Sequence, residues 1–227
     1  MCYILFKENS RHCLIIFNLP FDLQGYRAEK KCLLRATRLS ALLKKLQRLR
    51  HRLEVSFDST RTDHQEGLKE LWHAAFPGLE FSGLISEQWK EMGWQGTDPS
   101  TDFRGGGLIS LENLVFLSKT YPRSFQRLLQ KQAGDRSAWE YPFAIAGVNI
   151  TFMLIQMLDL QSGDEWAFDL LYCVAFEVMD AKWLATRASY MDFNVVLKST
   201  RAQLERELLM EEITCIEDMP SYGLLCQ

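Results

Sequence analysis

The sequence predicts an all-α fold: a single helical domain carrying a basic N-terminal helical arm. Three observations lead there. From residue 63 onward apolar side chains recur at steps of three and four, and no alternating strand pattern competes with that helical period. Charge is segregated, with ten Lys/Arg against Glu29 alone between Arg27 and Arg52, in a chain of 227 residues whose net charge is −3. A hydrophobic fraction of 47% and an aromatic fraction of 12% supply one sizeable core and exclude overall disorder.

Residues 1–60 make up the arm, and residues 1–26 have no clean period. The arm's helix, about 38–54, shows a stripe of Leu39, Leu42, Leu43, Leu46, Leu49 and Leu53. Lys44, Lys45, Arg48, Arg50 and Arg52 line its other face. The leucines are expected to pack on the domain with the cations solvated. An anionic membrane or a partner's groove is the competing use of such a helix. The polar stretch SFDSTRTD, 56–63, marks the expected boundary, and the domain then runs over 63–215.

Within the domain, DHQEGLKELWHAAF opens with Asp63 as N-cap and Glu66 three residues on, and it ends at Pro77-Gly78. SEQWKEMGW follows with Ser86 as its cap, and SLENLVFLSKTY has Ser110 as cap and Glu112 in the first turn. SFQRLLQKQ is expected to run until Gly134. The stretch 141–158 carries no charge, but Pro142, Asn149, Thr151 and Gln156 interrupt it. A central buried helix within Trp139–Leu160 fits it better than a membrane span. Ser162-Gly163-Asp164 offers a tight stop and a new cap before DEWAFDLLYCVAFEVMDAKWL. The last helix lies in 194–213, with Glu205, Glu207, Glu211 and Glu212 read as a solvated face, and 216–227 is expected to be a loose tail.

Composition also narrows the chemistry. The six cysteines lie far apart without a CxxC pair, which argues against a zinc site and a disulfide framework and fits a reducing compartment. Cys173 reads as a buried, inert thiol. The opening residues lack a signal-peptide pattern, so a cytosolic location is expected. The net charge gives no pointer to nucleic acid. Four scattered histidines predict no metal site, and GxSxG, HExxH and GxxxxGK[ST] are all missing from the sequence.

One stretch remains, DPSTDFRGGGLIS at 98–110. Asp98-Pro99 is turn chemistry. Gly105, Gly106 and Gly107 remove every Cβ from three positions, permitting positive φ and close approach of another surface. Arg104 is always charged and carries a planar fork of donors suited to phosphate oxygens. Two readings of the pattern stand open. Arg104 either enters another protein's active site as an arginine finger, or pairs with Asp98 or Asp102 and ties the loop down.

The longer stretch WKEMGWQGTDPSTDFRGGGLISLENL resembles the central motif of the ELMO (engulfment and cell motility) domain family. Trp89, Gly93, Gln95, Gly96, Asp98, Pro99, Thr101, Asp102, Phe103, Arg104, Gly105 and Gly107 match, with Trp94 in place of the family's usual Phe. YPFAIAGVNIT, 141–151, matches a second block, and the wording is most similar to the plant branch. The resemblance implies an all-helical domain and a regulator of small GTPases, binding no cofactor. It implies activation of Arf or Arf-like GTPases with Arg104 as the catalytic arginine, supplied in trans. Gln95, Gly96, Asp98, Pro99, Thr101, Asp102 and Gly105 to Gly107 would then shape the partner-facing loop. Asp102 would orient the guanidinium, and Trp89, Trp94 and Phe103 would support the loop from the core. The alternative is a non-catalytic adaptor that binds GTPase-regulatory partners. Either activity would be cytosolic, with the arm a candidate attachment to Golgi or vesicle membranes.

Overall fold

Side-chain periodicity becomes packing in a computed structural model that describes residues 48–130, 140–158 and 165–226. Among these the regular structure is helical throughout, without strands. Helix α1 covers 48–54. It is followed by α2 (Thr62–Ala75), α3 (Gly107–Thr120), α4 (Pro122–Leu129), α5 (Phe143–Leu158), α6 (Glu165–Thr186) and α7 (Phe193–Leu208). Short 3₁₀ turns lie at Glu87–Met92, Pro99–Arg104, Tyr190–Asp192, Ile216–Asp218 and Pro220–Cys226. No described helix is long and apolar enough to cross a membrane.

Helix α2 buries Leu68, Leu71, Trp72 and Ala75 on one stripe, as the i, i+3, i+4 spacing requires. It stops at Phe76, before Gly78 turns to φ +89°. Helix α4 starts at Pro122, whose fixed φ and missing N–H suit a first position. Helix α3 packs against α2, α4, α5 and α6, so the core is assembled around it.

The most enclosed element is α6 rather than α5. From Leu170 to Phe176 every side chain is buried, along with Val178, Met179 and Trp183. The buried helix expected within Trp139–Leu160 is α5, which buries Phe143, Ala144, Ala146, Ile150 and Leu154 but keeps Phe152 exposed, whereas the middle of α6 is enclosed on all sides. Cys173 is buried there as expected, and burial pushes its thiol pKa up.

Helix α6 also carries three buried acids, each matched by a group from another element. Arg52 meets Asp169, Arg127 of α4 lies 2.7 Å from Glu177, and the Tyr141 hydroxyl donates to Asp180 at 2.8 Å. Burial raises the Glu177 pKa even with the Arg127 ion pair opposing it.

Six local expectations are corrected. Asp63 is not an N-cap: α2 starts at Thr62, and Asp63 sits in its first turn, paired with Arg61 at 2.6 Å. Ser110 is not a cap either, because α3 starts three residues earlier at Gly107. Its hydroxyl is buried with no hydrogen-bond partner among the described residues. Helix α4 ends at Leu129 and α7 at Leu208, both short of the expected ends. The tail is not loose. Met219, Ser221 and Leu225 are buried, and the Glu207 carboxylate accepts from Ser221 N at 3.0 Å and Ser221 Oγ at 2.6 Å. Glu207 therefore leaves the solvated face assigned to it, while Glu211 and Glu212 remain exposed.

The boundary at 56–63 does not separate an arm from a body at residues 48–57. Leu49 is 3% exposed in the shared core, and Leu53 and Phe57 pack against that core. The leucine stripe docks as expected at these positions. Arg52, expected in solvent, is instead held by Asp169 and Glu112. The remaining stripe positions, Lys44, Lys45, Cys2, Cys13, Cys32 and the Ser162-Gly163-Asp164 turn lie outside the described residues.

Candidate functional site

The stretch 86–108 folds into two short turns on a buried aromatic base. Ser86 starts the first turn, its Oγ accepting from Gln88 N at 3.2 Å. Its own amide donates to Thr97 O at 2.9 Å, which closes the stretch into a loop. Gly93 then turns to φ +89°, and a Cβ there would lie 2.8 Å from the Pro142 carbonyl carbon. Only glycine fits where this turn crosses the start of α5.

Beneath the loop a row of rings runs without a break. Trp72 meets Trp89 at 5.2 Å, Trp89 meets Trp94 at 6.4 Å, Trp94 meets Phe103 at 5.2 Å and Phe103 meets Phe57 at 4.8 Å. All these contacts but the last are edge-on, the arrangement that ring quadrupoles favour. Trp89, Trp94 and Phe103 are buried.

The second turn is built by its own polar residues. Asp98 Oδ1 accepts from Ser100 N at 2.9 Å, and Pro99 occupies the first helical position. Thr101 Oγ1 donates to Asp98 O at 2.9 Å. Asp102 Oδ2 accepts from Gln95 N at 3.1 Å, tying the two turns together. Partial burial raises the Asp102 pKa, with the Gln95 amide opposing that shift. The orienting role expected of Asp102 is corrected: it braces backbone, not the guanidinium.

Arg104 ends this turn, directly after the anchored Phe103. Its side chain is exposed and makes no hydrogen bond or ion pair with the described residues. The pairing with Asp98 or Asp102 that the pattern left open is not formed.

The three glycines differ. Gly107 has φ +65°, and a Cβ there would lie 2.8 Å from Val55 O. The next amide, Leu108 N, donates to that same oxygen at 2.9 Å. Gly106 is buried against Ser110. Gly105 is exposed, has φ −92°, and has nothing within 4 Å of its missing Cβ. Two of the three glycines thus serve contacts within the chain, and Gly105 alone leaves the side toward Arg104 open. Gln95 is exposed, and Gly96 and Thr97 are half-buried.

Chemically, the site offers one exposed guanidinium on a braced turn. No nucleophile and base are paired there, and among the described residues no three His, Cys, Asp or Glu side chains are placed to hold a metal ion. Sequence reasoning missed Arg52, Val55 and Phe57, which support the loop from the region assigned to the arm. The signal was present in Val55 and Phe57, apolar residues just before and inside an otherwise polar connector.

The model of the ELMO/CED-12 family matches residues 47–197. That match begins before the expected boundary, where the structure also places the first core side chain. ELMO domain-containing protein A of Dictyostelium discoideum is 28% identical over 211 residues, covering 78% of this chain and 21% of that protein. ELMO domain-containing protein 2 of Homo sapiens is 30% identical over 193 residues, covering 79% and 64%. ELMO domain-containing protein 1 of Bos taurus is 34% identical over 142 residues, covering 56% and 43%. The chain therefore spans between 21% and 64% of the length of these relatives.

Proposed function

Since the chain belongs to the ELMO/CED-12 family, whose members act as regulators and adaptors in GTPase pathways, we propose that it activates a small GTPase of the Arf or Arf-like class by supplying Arg104 in trans. One observation carries this reading. Arg104 is an exposed arginine without a partner among the described residues, on a turn braced through Asp98, Asp102 and the buried Phe103. A guanidinium held this way meets charge developing on a transferring phosphoryl group with little reorganisation. Gly105 leaves room for the partner's backbone to approach. In this reading the chain acts by lending a cation to the partner's site, as an activator rather than a stand-alone enzyme. It works in the cytosol, with the basic arm as its attachment to an anionic Golgi or vesicle surface.

Single-turnover GTP hydrolysis against a panel of Arf and Arf-like proteins tests this. Arg104→Ala is expected to lower stimulation by about 10³- to 10⁵-fold, or roughly 4–7 kcal/mol of barrier, with Tm unchanged. Arg104→Lys restores little, because an ammonium lacks the planar fork. Full stimulation by Arg104→Ala sinks the proposal.

One observation favours the adaptor reading instead. Gly93, Gly107, Asp98 and Asp102 all have tasks within the chain, so the motif can be retained for structure alone. In that case Arg104→Ala alters neither stimulation nor partner capture.

A further inference from the structure

We propose that the segment 52–57 positions Arg104, with Phe57 and Arg52 as positioning residues; this rests on the reading of Arg104 as the donated arginine. The turn that carries Arg104 is six residues of 3₁₀ helix, a geometry with weak internal hydrogen bonds. It needs bracing from outside, and this segment supplies it on both sides. Before Arg104, the Phe103 ring lies 4.8 Å from Phe57. After Arg104, Gly107 presses on Val55 O and Leu108 N donates to that oxygen at 2.9 Å.

The segment is itself fixed at both ends. Arg52 Nε donates to Glu112 on α3 at 2.9 Å, and its two Nη atoms reach Asp169 on α6 at 3.2 and 3.1 Å. Asp169 is held in turn by Asn113 Nδ2 at 3.0 Å. At the other end, Asp58 N donates to the buried His64 Nδ1 at 2.9 Å, and the Phe57 and His64 rings lie 5.5 Å apart. A shift of this segment is passed to the residues on either side of Arg104, alongside the braces that Gln95 and Trp94 supply to Asp102 and Phe103.

The test combines kinetics with a readout that needs no GTPase. Phe57→Ala in the full chain is expected to lower kcat of the stimulated reaction about 10- to 100-fold, the effect of roughly an ångström of misplacement. KM stays within about twofold, and Phe57→Tyr restores most of the rate. In parallel, a nitroxide is placed on Arg104→Cys with Cys2, Cys13, Cys32, Cys215 and Cys226 replaced by Ser. Its spectrum is expected to report faster motion with Phe57→Ala or Arg52→Gln than in the parent, through loosening of the backbone that carries the label. Ser221→Ala, which destabilises the opposite end of the chain, changes neither the spectrum nor kcat. An unchanged spectrum in Phe57→Ala, or a kcat loss no larger than that of a Ser221→Ala protein of equal Tm, overturns the proposal. If the native chain stimulates no GTPase while the label responds, the positioning stands and the activator reading alone fails.

Discussion

Gly107→Ala and Gly105→Ala change neighbouring residues by the same methyl group and are expected to fail in opposite ways. At Gly107 the backbone sits at φ +65°, a region that costs an L-residue about 1–2 kcal/mol. The added Cβ would stand 2.8 Å from Val55 O, against backbone that cannot rotate away. The segment must therefore move, weakening the Leu108–Val55 hydrogen bond, a contribution of about 0.5–1.5 kcal/mol. Together these give about 1.5–3.5 kcal/mol, or a Tm lowered by about 3–14 °C for a domain of this size. At Gly105 the backbone is already in the right-handed region and the Cβ meets nothing within 4 Å. Stability there should change by less than about 0.5 kcal/mol. The methyl does stand on the open side next to Arg104, so GTPase stimulation should fall while Tm holds. Thermal unfolding and single-turnover hydrolysis on both variants decide the matter. A Gly107→Ala protein as stable as the parent refutes the contact argument. Full stimulation by Gly105→Ala refutes the close-approach argument.

Further outcomes follow from the polar contacts. Ser221→Ala removes one donor, the hydroxyl, from the buried Glu207 carboxylate while the residue-221 amide remains, and should cost about 1–3 kcal/mol, read by urea unfolding together with faster amide exchange over 219–226. Hydrogen bonds from the Thr214 hydroxyl and amide, with those from Cys215, lower the Asp218 pKa to about 2. A depressed carboxylate contributes above its ordinary value near 3.8 and loses that contribution as pH falls through about 2. The Thr214 amide resonance should follow this titration, and in Asp218→Asn it should not. A chain starting at Asp58 lacks Leu49, Arg52 and Phe57 and should be roughly 3–5 kcal/mol less stable than one starting at Lys45. Equal stability by urea unfolding would return residues 48–57 to the arm.

The all-helical class and the helices over 62–129, 143–158, 165–186 and 193–208 were legible because apolar spacing survives without tertiary information. Their ends were less so. Helix α3 starts at Gly107 because that residue bends against Val55, more than 50 positions upstream, and no local capping rule contains that contact. The tail has no periodicity, yet Glu207 and Ser221 hold it through a buried polar contact between residues 14 apart. At the site, the identity and exposure of Arg104 could be read from the motif. The tasks of its neighbours could not. Asp102 looked like a partner for arginine but serves the Gln95 amide, and two of three glycines face inward. Charge count also misled at Arg52, since a cation in a basic run gives no hint of two acids waiting on α3 and α6.

The three acids on α6 have a consequence of alignment. A helix that is otherwise hydrocarbon around its circumference can be turned or slid in its socket while covering nearly the same surface, so apolar contact alone leaves its seating degenerate. Asp169, Glu177 and Asp180 break that degeneracy. At about 100° per residue, Glu177 and Asp180 lie only about 80° and 20° around the axis from Asp169, forming one stripe. A slip of a single residue would swing the whole stripe by about 100° and strand all three carboxyls in hydrocarbon, away from Arg52, Arg127 and Tyr141. Replacing all three with leucine would therefore be expected to keep the helix buried and yet lose its unique rotational setting.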